Sequence, residues 1–505
     1  MKKVKFKHGI IAVLICCCPL SNLTAQEAQE ADTLVISLSD ALKIALSESP
    51  TIKIAEKEIQ RVKYTKKETQ GGFLPTVSFS AGYQRAIKKQ QMYMDGAFDM
   101  TAMMMPMLKG LDDTYAAHNA GYRPNMFDAD GNLVIPGELM QNIANNTPPP
   151  NGEEEGITVG RDNTFTGGIS ASLPLIAPAL WAMNGMTELQ LELAIESARS
   201  SKLSLQNQVS KAYYGALMAK DSYNVFKRAY ENSVENARIA KNKFEQGTVS
   251  EFDYIRTDVQ ARNALTNLVS AESVVNLSIL QLKMLIGIDM FTEVATVGNL
   301  SDFEATMYGD YLAIDTTTLK DNSDLKQFDI QTKQLEQSLK INKSSALPTL
   351  GLQFEYNYMS MVNDDQAFTS SHKWFPVSNL SVGLSVPLFQ GFSKHNKNQQ
   401  IKVQIDEMSL NRMNLERGLQ LQAINNLENI KKSLKKIESD KQAMLMAEKA
   451  MMISQKMYDV GMATYLDVTN AELAYTQSGL AYNQSIFEYL SNKSDLELIY
   501  GRVAQ

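Results

Sequence analysis

The sequence predicts a mainly α-helical chain that also carries part of a transmembrane β-barrel, arranged as two internal repeats. Three observations carry that prediction. Two long stretches, about Leu180–Gln246 and about Ser393–Val460, contain no proline and read as unbroken polar-amphipathic helix. Four shorter segments alternate apolar and polar residues with period two. The chain also repeats its own landmarks at a nearly constant spacing.

From the N-terminus, Lys2, Lys3, Lys5 and Lys7 precede the apolar run Ile10–Ile15, and Leu23-Thr24-Ala25 offers a small residue before Gln26. A basic end, a short apolar middle and a small residue at the cut are the marks of a secretory signal over residues 1–25. An uncleaved anchor is the alternative, although a spanning helix needs ~20 apolar residues. All three cysteines, Cys16, Cys17 and Cys18, fall inside this segment, so the mature chain has no disulfide and no thiolate metal site. A lipoprotein cut at one of these cysteines is a further alternative, although Cys16 stands before Cys17 where a small residue is expected. The 505 residues carry a net charge of −7 with acids and bases interspersed. Without a basic block, no nucleic-acid partner is expected.

The repeat fixes the domain organisation. Leu74-Pro75-Thr76 recurs as Leu347-Pro348-Thr349, an offset of 273. Ser172-Leu173-Pro174-Leu175 recurs as Ser385-Val386-Pro387-Leu388 at 213, and Gly247 recurs as Gly461 at 214. The drop from 273 to 213 places a 60-residue insertion in the first half, within about residues 86–163. It holds Met103–Met105, Pro148–Pro150 and Glu153–Glu155, and reads as a long loop with a short helix near Met100–Leu108. The expected boundaries are a first repeat over 26–286, a connecting segment over 287–321 and a second repeat over 322–501.

The alternating segments lie at about 74–85 and 164–176 in the first repeat, and at about 347–359 and 379–389 in the second. Val77, Phe79, Ala81 and Tyr83 interleave with Ser78, Ser80, Gly82 and Gln84; Leu380, Val382 and Leu384 oppose Ser381, Gly383 and Ser385. Strands with one apolar and one polar face follow, each about 9–11 residues, the length a tilted strand needs to cross a bilayer. A half-buried sheet in a soluble sandwich is the alternative for these strands alone. Membrane barrels begin at 8 strands, so lipid-facing strands require several chains in one barrel; three chains give 12.

Each long stretch would reach ~100 Å as one helix. Tyr223, Tyr230, Ala237 and Phe244 recur every seven residues, with Phe226, Ser233 and Ala240 between them, which predicts a heptad seam. Each helix ends at a glycine, in Phe244–Asp253 and Tyr458–Asp467. Gly247 and Gly461 are expected to close the outgoing helices, and Ser250 and Thr464 to cap the returning ones, which run to about Ile286 and about Tyr500. Ser39–Thr69 and Ser323–Ser345 read as further helices that complete the wall beside the long ones.

In this order and twice over, these features resemble the TolC-like outer membrane efflux protein family. The resemblance rests on Leu38-Ser39-Asp40-Ala41-Leu42 with Ala45-Leu46 and Ser49-Pro50, on the paired Leu-Pro-Thr and x-Pro-Leu segments, and on the paired glycine turns. It implies a homotrimer whose 12-stranded barrel crosses the outer membrane lipid and whose helical coiled-coil tunnel crosses the periplasm. It implies a passive conduit of a tripartite efflux or type I secretion system, with no enzyme activity and no cofactor. A periplasmic adaptor (membrane fusion protein) and an inner-membrane pump of RND or ABC type are the implied partners. The implied docking residues are Gly247, Thr248 and Val249 on one turn and Gly461, Met462 and Ala463 on the other. The implied gate is Asp253 with Tyr458, together with Asp467 and Asn470; a partner cation stands in the family at the position of Ala463, and an acidic ring at that of Asn470.

Competing classes fit less of the chain. His118, His372 and His395 are scattered without ligand spacing, and no nucleophile elbow, phosphate-binding glycine motif or zinc signature occurs. Met103–Met105 can be read as a soft-metal site or as a flexible apolar run. A secreted coiled-coil rod or surface adhesin accounts for the helices but not for four lipid-length strands in duplicate.

Overall fold

The computed structural model describes residues 34–92, 157–305, 307, 319–363 and 373–502. The N-terminal signal, the short helix read near Met100–Leu108, the methionine run, His118 and His372 lie outside the described residues. Two units compose the chain: one takes Gly71–Pro178 and Leu347–Leu388, the other takes the remaining segments.

The first unit is a β-sheet. Strands β2 (Thr76–Arg85), β5 (Asn163–Ile176), β7 (Thr349–Val362) and β8 (Phe375–Ser385) form one antiparallel sheet in the order β2-β5-β7-β8. The register aligns apolar residues in rows: Phe79, Ile169 and Tyr356 in one, Val77, Ala171, Phe354 and Leu380 in the next, and Leu173, Leu352 and Val382 in a third. Alternate rows are polar, and Thr76 and Ser78 share hydroxyl hydrogen bonds of 2.8 Å with Ser172 and Ser170. Within the protomer the apolar rows are uncovered, with Phe79 73% and Leu380 71% exposed. Gly168 is required on the polar side: a Cβ there would collide with the backbone of Tyr356 and lie 2.6 Å from Asn357 Cα. The two inner strands, at 14 residues each, outrun the expected length because β5 and β7 pair with each other almost to their ends. Beyond β2, short strands β3 (Gln90–Met92) and β4 (Ile157–Val159) pair antiparallel, Met92 opposite Ile157, so a ribbon opens the inserted segment. At its base the Ala86 N–H donates to Asp162 O at 2.7 Å, and Lys89 pairs with Asp162 at 3.1 Å.

The second unit is helical. It contains α1 (Leu38–Glu48), α2 (Pro50–Gly71), α3 (Pro178–Glu245), α4 (Glu251–Ile286), α5 (Ser323–Ser344), α6 (Ser393–Asp459) and α7 (Tyr465–Ile499). The single N-terminal helix expected from Ser39 is two helices, broken where Pro50 lacks an N–H and Ser49 turns extended at ψ 129°. The core gathers around a parallel pair, β1 (Leu34–Ile36) with β6 (Val294–Thr296), and a 3₁₀ turn at Leu300–Phe303. Leu205, Val209, Tyr213 and Leu217 of α3 meet Ile430 and Leu434 of α6 and Ile486 and Tyr489 of α7 there. Buried tyrosines tie the connecting segment to the helices: Tyr213 Oη donates to Val297 O at 2.8 Å, and Tyr489 Oη to Met307 O at 2.7 Å.

The short helices meet end to end at two equivalent joints. Gly287, at φ 79°, closes α4 with its Cβ position 3.0 Å from Glu48 O, just before α2 begins. Gly501, at φ 68°, follows α7 against the Asp321 carbonyl, just before α5. Asn322 serves both helices at the second joint. Its Oδ1 accepts from Asp324 N and Leu325 N at 3.0 Å, capping α5, while its Nδ2 donates to Ile499 O at 2.8 Å. Arg199 of α3 donates to Asp321 O and Gly501 O, each at 3.0 Å.

The seam of α3 differs from the expected heptad. Of the expected positions, Ser233 and Ala240 are buried, Tyr223, Phe226, Tyr230 and Ala237 are half-buried and Phe244 is exposed, while Val225 and Asn236 outside the pattern are buried as well. Small residues win because they let α3 approach its neighbours; opposite Val225, Gly479 of α7 leaves a Cβ position only 3.2 Å from Val225 Cγ2. Helix α4 leaves much apolar surface uncovered. One 18-residue window has a mean hydropathy of 1.3, enough by length and composition to cross a membrane, yet only 22% of that window is buried. Asn263, Asn267, Glu272 and Asn276 recur along α4, and a bilayer would desolvate them. Its exposed Phe252, Ile255, Val259, Val269, Leu277 and Met284 form a stripe at helical spacing.

Candidate functional site

Both turns between long helices are built by the same chemistry. Gly247 (φ 71°) and Gly461 (φ 80°) take the left-handed conformation that side chains resist. Thr248 N then reaches back to Lys243 O at 2.9 Å, and Met462 N to Met457 O at 2.7 Å, satisfying carbonyls at each helix end. Ser250 Oγ accepts from Asp253 N at 3.1 Å and donates to the Asp253 carboxylate at 2.7 Å. Thr464 and Asp467 form a full capping box, with Asp467 N on Thr464 Oγ1 at 3.3 Å and Thr464 N on Asp467 Oδ2 at 2.9 Å. Hydrogen bonds from Thr464 hold the Asp467 carboxyl below its usual range. Asp253 and Asp467 are therefore first-turn carboxylates, placed where the helix dipole favours negative charge.

The turn residues face outward. Met462 is 76% exposed, and Val460 on its own turn and Phe252 on the other hairpin are also open; Thr248 is exposed, and Val249 and Ala463 are half-buried. Asn470 is exposed on α7. Tyr458 instead is buried in a small cluster with Tyr465 and Val468, against which Ile239 and Ala463 pack. Burial raises the Tyr458 hydroxyl above its ordinary pKa, and the charges of Asp253 and Asp459 raise it further. Asp253 and Tyr458 thus lie within electrostatic reach, and no hydrogen bond joins them among the described residues. The cation on Tyr458 comes from α3: Lys243 Nζ donates to Tyr458 O at 2.6 Å and sits 4.2 Å from the ring centroid. Arg256 of α4 lies 5.7 Å from the Tyr465 ring centroid, and the Tyr458 and Tyr465 rings are 6.0 Å apart. The sequence reading missed Lys243, Arg256 and Tyr465; the one signal for Lys243 was a basic residue in the last turn of a helix.

Two further polar contacts join α3 to the second hairpin. Asn236 Nδ2 donates to Glu472 Oε1 at 2.8 Å in a buried setting. Burial pushes the Glu472 carboxyl up to about 7, with hydrogen bonds from Asn236 and Ser233 opposing. Further along, Arg228 Nη1 donates to Glu448 Oε1 at 2.6 Å and to Tyr475 Oη at 3.2 Å, with its guanidinium 5.1 Å from the Tyr475 ring centroid. Lys243, Asn236 and Arg228 thus form a ladder of ties on one face of α3.

The family model for outer membrane efflux proteins matches residues 143–288 and 316–502. The chain belongs to the outer membrane efflux protein family. Membership places it among outer membrane channel proteins that extend into the periplasm. It is 23% identical over 344 residues to the outer membrane protein TolC of Vibrio cholerae, a match covering 68% of this chain and 77% of that protein. It is 24% identical over 207 residues to the alkaline protease secretion protein AprF of Pseudomonas aeruginosa, covering 40% of this chain and 41% of AprF. The crystal structure of the Campylobacter jejuni CmeC outer membrane channel superimposes with a TM-score of 0.65 at 16% identity, covering 92% of this chain and 85% of CmeC. At that identity the likeness carries the fold of these efflux channels.

Proposed function

We propose that three copies of the chain close into one passive channel through the outer membrane. Each copy contributes β2, β5, β7 and β8, and the free edges of β2 and β8 pair with neighbouring copies, so that three four-stranded sheets make a 12-stranded barrel. The apolar rows meet lipid and the polar rows line the lumen. The helices form the periplasmic coiled-coil tunnel, where the apolar stripe of α4 seals against a second copy.

The chain serves as the outer membrane channel of a tripartite efflux or type I secretion system. The turns Gly247–Val249 and Gly461–Ala463 receive a periplasmic adaptor (membrane fusion protein), and an inner-membrane pump of RND or ABC type supplies the energy. The chain performs no catalysis. Asp253, Tyr458, Asp467 and Asn470 stand at the tip gate, with Lys243 as the cation held on Tyr458. Opening moves the second hairpin away from α3.

The observation that supports this reading best is a sheet with an uncovered apolar face and two edges that, among the described residues, pair with no further strand, which is stable only when lipid and further strands complete it. Detergent-extracted protein should migrate as a heat-dissociable trimer and conduct ions in planar bilayers. A monomer that stays in aqueous buffer without detergent would overturn the reading.

A further inference from the structure

Glu472 is a carboxyl buried without a cation. It is 5% exposed, and its partners on α3, Asn236 at 0% and Ser233 at 2%, are neutral. The cations around it are engaged elsewhere. On α3, Arg228 is held by Glu448 of α6, and Lys243 by Tyr458. On α4, Arg256 lies over Tyr465. On α7 itself, Tyr465 lies two turns before Glu472 and within reach of its charge, which raises the Tyr465 hydroxyl pKa after burial, and Tyr475 one turn after Glu472 accepts from Arg228. Asn236 shows the complementary defect: its Nδ2 donates to Glu472, but its buried Oδ1 has no hydrogen-bond partner among the described residues. An ionised carboxylate has no proton to offer that oxygen. A protonated carboxyl does, and a carboxylic acid facing a primary amide forms two reciprocal hydrogen bonds, acid O–H to amide oxygen and amide N–H to acid carbonyl.

We propose that Asn236 and Glu472 form a proton-operated latch between α3 and α7, which fastens the tip when Glu472 is protonated and loosens it when Glu472 ionises. The direction follows from linkage. The packed carboxyl holds its proton up to about 7, above the ordinary value of 4.5, so the packed state binds more protons than an opened one. The latch is therefore tightest in acid, weakens as pH rises from about 4.5 to about 7, and changes little above that. This inference rests on the tip being the moving part of the channel proposed above.

The test uses the full-length protein purified from membranes, with spin labels at Val234→Cys on α3 and Leu473→Cys on α7, both exposed positions flanking the pair. Between pH about 5.5 and about 8.5 the interlabel distance should lengthen or broaden by several ångströms. Glu472→Gln, which keeps a neutral group with a donor, should hold the acid distribution at both values. Infrared difference titration of the unlabelled protein should show a protonated carboxyl band disappearing near neutral pH that Glu472→Gln lacks. An unchanged distance in the parent protein, a shift that persists in Glu472→Gln, or no such band would each overturn the latch. Conductance of the same samples separates the two readings: a trimer that conducts at no pH removes the channel, while the distances still judge the latch.

Discussion

Lys243 Nζ lies 4.2 Å from the centre of the Tyr458 ring and donates to the carbonyl of the same residue at 2.6 Å. One cation thus engages both the backbone end of α6 and an aromatic face, across 215 residues of sequence. A charge-assisted hydrogen bond with a partly desolvated cation–π contact is worth about 1 to 2 kcal/mol. Lys243→Met should shift the tip toward opening by about tenfold, seen as higher open probability or conductance in planar bilayers. Tyr458→Ala should do the same. Unchanged conductance in both variants would remove this contact from the gate.

At the joint between α7 and α5, Asn322 caps one helix and ties down the last carbonyl of the other, that of Ile499. Asn322→Ala should cost about 1 to 3 kcal/mol, since a buried acceptor loses its partner as well as a cap. Gly501→Ala should be worse, because φ is 68° and the new Cβ would meet the Asp321 carbonyl. Thermal unfolding of detergent-solubilised protein, followed by circular dichroism, measures both, and the expected order is parent, then Asn322→Ala, then Gly501→Ala.

The Asp467 carboxyl sits below its ordinary value of 3.8 because Thr464 bonds to its charged form. Its contribution to the start of α7 is therefore complete above about pH 4 and is lost as pH falls through the lowered value. Hydrogen exchange in the first turn of α7, corrected for intrinsic rates, should show protection at pH about 5.5 that falls at pH about 3. Asp467→Asn should lack this step, and a step surviving in that variant would assign it to another group.

How much of this was legible in the sequence differs between the two units. The strands could be read because a sheet with one wet and one apolar face writes period two directly into the chain, and the register of Phe79, Ile169 and Tyr356 honours that pattern. The turns could be read because only glycine suits φ of 71° and 80°. The seam of α3 could be read only in part. The heptad pattern finds the buried Ser233 and Ala240 together with the half-buried Tyr223 and Tyr230 and the exposed Phe244, but it misses Val225 and Asn236. Lys243 on Tyr458 was illegible for a related reason: its meaning depends on the axial alignment of two helices far apart in sequence, which no local pattern specifies.

The inserted segment leaves the sheet as a ribbon, with Met92 opposite Ile157. Excising residues 93–156 and closing the ribbon with an Asn-Gly turn should preserve the trimer, because the hydrogen bond from Ala86 to Asp162 and the β3–β4 pairing remain. Heat-modifiable migration of the membrane fraction reports the result. Loss of the trimer would make the segment part of the assembly itself.

The central claim is that lipid wets one side of the sheet and water the other, and β8 tests it most directly. Spin labels placed one at a time from Ser378 to Ser385 in reconstituted protein report access to oxygen, which dissolves in lipid, and to a water-soluble nickel chelate. The account predicts strict alternation, with Leu380, Val382 and Leu384 open to oxygen and Asn379, Ser381 and Gly383 open to the chelate. Equal access of the chelate to every position would contradict it.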